Sequence, residues 1–404
     1  MELIRQKYID KLIEWLKIRD IKILTGIRRV GKSTLLRQFI EFLKNKKDVL
    51  FFQIIDKYDF NNIKTLKNTT WENMMDDVKR IISSNPTKKH YLFIDEVQEL
   101  KDWQKAIKTL LEDRTIDIDI YLTGSNSQAL SMDLGTWFTG RHLDLLVLPF
   151  TFKEIVNSNI LQKSDNEIFQ HYLYHGAIGK IIPIYENSSN IKELLKQISI
   201  DCIQKDVFKR YKIRNKNEFL KIVNFIYDQI GKKISINNVI DDFYKSKKIV
   251  YTYKTISDYI EKLENANLIK TLPYYDLKGR KIITSSLKIY STDLGILSQN
   301  TTYSGNRSWR IENLVFLELL NRYDEVYTYK TYNGKEIDFI CLKEGRITYL
   351  QVTDILNESN WEREVGNLES LSDSNEKIVL SNNVDTHYLS SGIKIVNLLE
   401  WLKS

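Results

Sequence analysis

Gly26-Ile27-Arg28-Arg29-Val30-Gly31-Lys32-Ser33 decides how this chain is read. Ahead of it, Ile21, Ile23 and Leu24 form the apolar run of a short buried strand. Behind it, Thr34 to Leu43 (TLLRQFIEFL) carries apolar residues at helical spacing. The pattern G-x-x-x-x-G-K-S between strand and helix is the P-loop, and its chemistry uses each part. Gly26 and Gly31 permit the backbone angles that let successive amide N–H groups curl around a phosphate. The following helix points its unpaired N–H groups and partial positive charge at the same anion. Lys32 then reaches the β- and γ-phosphates, and the Ser33 hydroxyl is placed to ligate Mg²⁺. The whole stretch from Gly26 to Thr34, with Ile27, Arg28, Arg29 and Val30 inside it, is predicted to hold the phosphates of a nucleotide.

Downstream, the order of elements strengthens that reading. Asp48 to Ile55 (DVLFFQII) has the continuous apolar character of a buried parallel strand. Trp71 to Ile82 reads as a helix, and His90 to Asp95 (HYLFID) as the next strand, ending in Asp95 and Glu96. An apolar strand closed by two acids, one helix and one strand after the P-loop, predicts Asp95 as a holder of Mg²⁺. Glu96 is the expected base on the attacking water. Asp102 to Asp113 gives a further helix. Ile116 to Thr123 gives a fourth strand, ending in Thr123-Gly-Ser-Asn126. Asn126 or Ser125 at this tip is a candidate for sensing the γ-phosphate or positioning water; a plain turn is the alternative. Leu143 to Leu148 is a fifth strand, closed by Pro149. Just before it, Arg141 supplies a fixed positive charge that could complete a neighbouring subunit's site, so a homo-oligomer is an expected partner state.

Composition sets the wider frame. A chain of 404 residues, 42% hydrophobic and 28% charged, suits a globular protein of two to four domains. The amphipathic start MELIRQKYIDKLIEW is unlike a signal peptide, and no apolar run reaches membrane-spanning length. Cys202 and Cys341 stand far apart and suggest neither a disulfide framework nor a zinc site. A cytoplasmic protein without a membrane partner is expected. The net charge of +7 is unevenly spread: residues 201–290 hold 19 Lys and Arg against 10 Asp and Glu. Such concentration points to an acidic partner, nucleic acid first.

The segments TGIRRVGKSTLL (25–36), LFIDEVQELKDWQKAIKTL (92–110), YLTGSNSQALS (121–131) and GR…LPFTFKEI (140–155) resemble a known group. It is the AAA-superfamily ATPases of bacteria and archaea that carry a C-terminal domain of unknown function. The likeness extends to QKDVFKRYKIRN (204–215) and KEIDF…YLQV (335–352), so it covers essentially the whole chain. It implies ATP with Mg²⁺ as cofactor and a sheet of strand order 5-1-4-3-2. One departure is YHGAIGKIIP (174–183), where such proteins more often have Gly-Gly and then proline; the nucleotide-sensing residue of the lid is left unassigned.

The expected architecture is an α/β one in four parts. Residues 1–152 form a P-loop ATPase core. Residues 153–215 form a helical lid, with Lys192 to Phe208 as its clearest helix. His171 and His175 lie one turn apart there, without an evident third metal ligand. Residues 216–300 give three helices and two strands, the order of a winged helix. Ser235 and Thr252 are placed to cap its second and third helices. Lys254 and Ser257 on the third helix, and Lys278, Arg280 and Lys281 in the basic turn, are the candidate DNA contacts. Residues 301–404 resemble the restriction-endonuclease-like fold. There Asp338 and Gln351 match catalytic positions, but Thr353 stands where lysine is needed, so nuclease activity is not expected. The function read from these residues is Mg²⁺-dependent ATP hydrolysis coupled to conformational change, acting on DNA. The alternative is a slow nucleotide-controlled switch that binds a protein partner.

Overall fold

The structure is a computed structural model. It describes residues 3–44, 49–54, 71–84, 86, 89–113, 115, 117–125, 138, 140–185, 188–247, 250–276, 281–301, 307–330 and 335–404. The chain divides into two compact units, Met1–Leu148 with Asn265–Asn267, and Pro149–Glu264 with Leu268–Ser404.

The first unit is built on five strands: β1 (Ile21–Thr25), β2 (Val49–Ile54), β3 (Lys89–Ile94), β4 (Ile118–Thr123) and β5 (His142–Leu146). They lie in the order β2-β3-β4-β1-β5 and all pair in parallel. Read from the other edge this is 5-1-4-3-2, the order implied by the resemblance. Parallel neighbours need crossovers. Helices α1 (Gln6–Glu14), α2 (Lys32–Lys44), α3 (Trp71–Ser84) and α4 (Trp103–Glu112) accompany the strands. β1 and β4 are buried along their whole length, which is why most of their residues are apolar. Alternate residues serve the two faces. Leu92 and Ile94 join Ile120, Leu122, Trp103 and Ile107 in one core. Phe93 faces the other way and stacks on Tyr121, with ring centres 4.9 Å apart. A charge lies within this sheet as well: buried Lys22 pairs with Asp119 at 3.1 Å, and Lys89 meets the same carboxylate at 3.2 Å.

The second unit carries a nine-stranded mixed sheet. Its strands are β6 (Lys233–Ile234), β7 (Ile269–Asp276), β8 (Lys281–Ser291), β9 (Glu325–Lys330), β10 (Glu336–Lys343), β11 (Arg346–Thr353), β12 (Glu376–Ser381), β13 (His387–Tyr388) and β14 (Lys394–Asn397). The order is β13-β14-β12-β11-β10-β9-β7-β8-β6. Helices Phe152–Asn157 and Asp165–His175 each start on a capping box, Thr151 with Glu154 and Ser164 with Glu167. The expected helix Lys192 to Phe208 is two pieces: Ser188–Asp201 is α-helical and Cys202–Phe208 widens into a π-helix. Helices Lys216–Asp228, Ile236–Lys247 and Tyr253–Asn265 then precede the β7–β8 hairpin. Ser235 and Thr252 cap the last two as expected, accepting from the Asn238 and Thr255 amides at 3.2 and 3.1 Å. Through the pairs Tyr274↔Thr328 and Tyr275↔Tyr329, β7 continues into β9, so the hairpin and the C-terminal strands share one sheet.

Asp293 was not singled out from sequence, yet it anchors this unit. Fully buried, it accepts from the amides of Ala177 at 2.9 Å and Ile296 at 3.0 Å, and burial pushes its carboxyl up to about 6. A Cβ on Gly176, at φ +70°, would come within 2.3 Å of the same carboxylate. The glycine in the departing YHGAIGK segment is therefore a packing requirement of this joint.

Candidate nucleotide site

The P-loop follows β1 and ends in α2. Gly26 takes φ +143° and packs so closely on the chain after β5 that a Cβ would lie 2.3 Å from the Val147 carbonyl oxygen. Arg29 and Gly31 are also left-handed, at φ +66° and +106°. The space where a Gly31 side chain would stand is open to 4 Å. These turns curl the loop, and the Leu35 amide bonds back to the Gly31 carbonyl at 2.8 Å to start α2. The Lys32 ammonium is buried and donates to the loop's own carbonyls, Gly26 at 2.9 Å and Ile27 at 3.2 Å. An ammonium on a ring of carbonyls, beside the N-terminus of a 13-residue helix, suits a polyphosphate.

The acids at the tip of β3 close this site. Ser33 Oγ donates to Asp95 Oδ2 at 2.6 Å. Thr123 Oγ1, at the tip of β4, donates to Asp95 Oδ1 and accepts from the Glu96 amide at 2.9 Å. Thr123 thus joins the two acids, a role the sequence reading missed although it quoted the residue within Thr123-Gly-Ser-Asn126. Asp95 is buried and Glu96 half-buried. Among the described residues no three His, Cys, Asp or Glu are grouped to hold a metal ion. Mg²⁺ beside a nucleotide needs fewer, since phosphate and water oxygens complete its octahedron. The hard oxygens of Ser33 and Asp95, already within hydrogen-bond distance, fit that demand.

Other predicted residues fall elsewhere. Arg141 is exposed at the start of β5, where its carbonyl accepts from the Ile21 amide at 3.1 Å. The P-loop leaves the opposite end of β1, so Arg141 does not join the site of its own chain. Asn126, Lys278 and Arg280 lie outside the described residues, and Lys281 opens β8. Lys254 is exposed and Ser257 half-buried on helix Tyr253–Asn265, where Asp258 pairs with Lys262. His171 stacks on Tyr185 at 5.1 Å, and burial lowers the His175 pKa; these rings pack as aromatic neighbours.

A second polar cluster lies in the C-terminal sheet. A cavity of about 830 Å³ is lined by Trp309, Glu312, Glu336, Asp338, Gln351 and Glu364, among others. Asp338 sits at a shift in the β9–β10 register, between Ile337 and Ile340. Its amide donates to Gln351 Oε1 at 2.6 Å, and its carboxylate accepts from Val352 N at 3.0 Å. Thr353 bonds the nearby Ile355 carbonyl. The cation comes from a strand that sequence reasoning had placed in the winged helix. Lys288 of β8 meets Glu336 at 2.7 Å, Glu312 at 3.0 Å and Asp338 at 3.4 Å. Burial pushes Glu364 up to about 7, helped by the Asp338 charge.

Comparison with known proteins agrees with the first unit's geometry. Residues 18–156 match the family model described as an AAA domain, and residues 166–306 match a domain of unknown function, DUF8612. An uncharacterized protein of Haemophilus influenzae is 27% identical across 98% of each chain. Uncharacterized protein MJ1544 of Methanocaldococcus jannaschii is 30% identical, across 89% of this chain and 81% of that one. The solved Walker-type ATPase PABY2304 of Pyrococcus abyssi shares the fold, with TM-score 0.51 and 18% identity over 74% of this chain and 95% of that one. No helix among the described residues is long and apolar enough to cross a membrane. The match to MJ1544 makes this chain a member of that protein's family, and its residues 18–156, with the P-loop, the two acids and the parallel sheet, form an AAA domain.

Proposed function

We propose that the protein is a Mg²⁺-dependent ATPase whose nucleotide cycle drives work on DNA. The observation that carries the ATPase reading is the linked set Ser33–Asp95–Thr123–Glu96. Bound Mg²⁺, held by Ser33 and Asp95, would neutralise charge on the phosphate oxygens. Lys32 exchanges its loop carbonyls for the β- and γ-phosphates, and Glu96 takes the proton of the attacking water. Arg141, exposed and away from its own P-loop, serves the site of a second copy of the chain. Residues 153–215 act as a lid, 216–300 as a winged helix, and 301–404 as a nuclease-like scaffold without nuclease activity, since the Lys288 ammonium beside Asp338 is already ion-paired with Glu312 and Glu336.

DNA is favoured by the nine-charge excess in residues 201–290 and by exposed Lys254 at the start of the third helix. Phosphate contacts release condensed counterions, so affinity falls steeply with salt. Changing Lys278, Arg280 and Lys281 together to Ala should weaken binding to all sequences alike. It should flatten the salt slope by about one unit per lost contact while basal ATP hydrolysis stays intact. If no DNA form binds at low salt, or the triple variant binds like the parent, the basic face serves a protein and the switch reading replaces this one.

A further inference from the structure

Glu96 stands in an unusual place. Its φ of +48° is left-handed in a residue with a side chain, a conformation that costs on the order of 1–3 kcal/mol. The turn ends β3 and leads straight into the 3₁₀ turn Val97–Glu99, which carries Gln98. There the Gln98 side-chain amide, Nε2, donates to Glu96 Oε2. The other end of that amide is the informative part. Gln98 Oε1 is buried and accepts no hydrogen bond among the described residues. A buried acceptor left unpaired costs about 1–3 kcal/mol, so the arrangement calls for a donor at this point.

The chemistry of the reaction supplies one. A nucleophilic water needs acceptors for both of its O–H bonds, so that its free lone pair faces the γ-phosphorus. Glu96 offers one acceptor. The amide oxygen lies about 2.3 Å from its own nitrogen, which places it within about 5 Å of the Glu96 carboxylate oxygen. One water bridges such a gap with two bonds of about 2.8 Å.

We propose that Gln98 is a second catalytic residue of the ATPase, its amide oxygen holding the attacking water beside Glu96. This deepens the hydrolytic reading above and rests on it. The water oxygen forms the bond to the γ-phosphorus, and the bond from phosphorus to the β–γ bridging oxygen breaks, its electron pair leaving with ADP. Glu96 takes one proton of the water. Gln98 takes none; it accepts the second O–H as a hydrogen bond, and through Nε2 it fixes the direction of the Glu96 carboxylate.

The test is steady-state ATP hydrolysis by the full chain with Gln98→Leu, Gln98→Glu and Glu96→Gln, alongside ATP binding and thermal unfolding. Gln98→Leu should lower kcat about tenfold to a hundredfold with KM and ATP affinity near the parent's, because the lost bond is made to water and not to the nucleotide. Gln98→Glu restores an acceptor but places two carboxylates side by side. It should recover rate at alkaline pH, with the acid limb of the kcat profile moved upward by about one unit. A merely structural residue would lower the unfolding temperature and leave that limb in place. If Gln98→Leu does not fold, the pH profile of Gln98→Glu decides. Should Gln98→Leu keep parental kcat while Glu96→Gln is inactive, the inference fails and the hydrolytic reading stands. Should Glu96→Gln turn over normally, both fail.

Discussion

Two groups of acids among the described residues are met by their neighbours in opposite ways. In the first unit, Asp95 is satisfied by two hydroxyls, Ser33 and Thr123, and Glu96 by an amide. Neutral donors leave the charge uncompensated, so a divalent cation entering there gains its full attraction. In the second unit, Glu312, Glu336 and Asp338 already surround the buried ammonium of Lys288. That group already has a cation at its centre. Similar residue types therefore form the proposed metal site in one place and an internal salt cluster in the other. The difference lies in what the neighbouring strand contributes: a hydroxyl from β4 or an ammonium from β8.

A large effect expected from this contrast concerns Arg141. A site left open for cations also has room for a guanidinium from another subunit. Arg141→Ala should lower turnover by about 1000-fold while each chain still binds ATP. Mixing it with Glu96→Gln chains should return part of the activity, because one composite site in the mixture keeps both groups. No rescue, with turnover independent of protein concentration, would make the site self-sufficient.

A smaller effect tests the other side. Lys288→Met removes the internal cation and leaves buried Glu312 facing the half-buried Glu336 and Asp338. Breaking such a buried pair costs about 3 kcal/mol or more at pH 8. Burial raises the pKa of Glu312 and of Asp338, so both take up protons readily as the pH falls. Protonation relieves the repulsion, and the loss measured by urea unfolding should shrink at pH 5. Equal losses at the two pH values would mean that the cluster is not held by charge.

Much of the first site was legible in the sequence because its chemistry is local. Gly26, Gly31, Lys32 and Ser33 share one loop, and Asp95 and Glu96 sit together at a strand end. The apolar residues of β1, β3 and β4 mark the buried interior of the sheet, and the five strands lie within one or two residues of where their patterns put them. What sequence did not show was long-range. Thr123 is an ordinary strand residue until β4 lies beside β3 and brings its hydroxyl to Asp95. Lys288 reads as one more basic residue in a basic segment until β8 delivers it to Glu312, 24 positions away, and Asp338, 50 positions away. Asp293 and Gly176 are likewise silent apart from each other. Position 353 is a threonine, and the lysine that reaches Asp338 from another strand has no local signal.

In the proposed mechanism the open acid pair, and not the salt cluster, performs the chemistry. The direct measurement is ATP binding and turnover by Glu96→Gln in the presence of Mg²⁺. ATP affinity should stay close to the parent's, because Lys32, Ser33 and Asp95 are untouched. Turnover should fall by about a hundredfold to ten-thousandfold, the usual contribution of a positioned general base. Parental turnover in Glu96→Gln would contradict it.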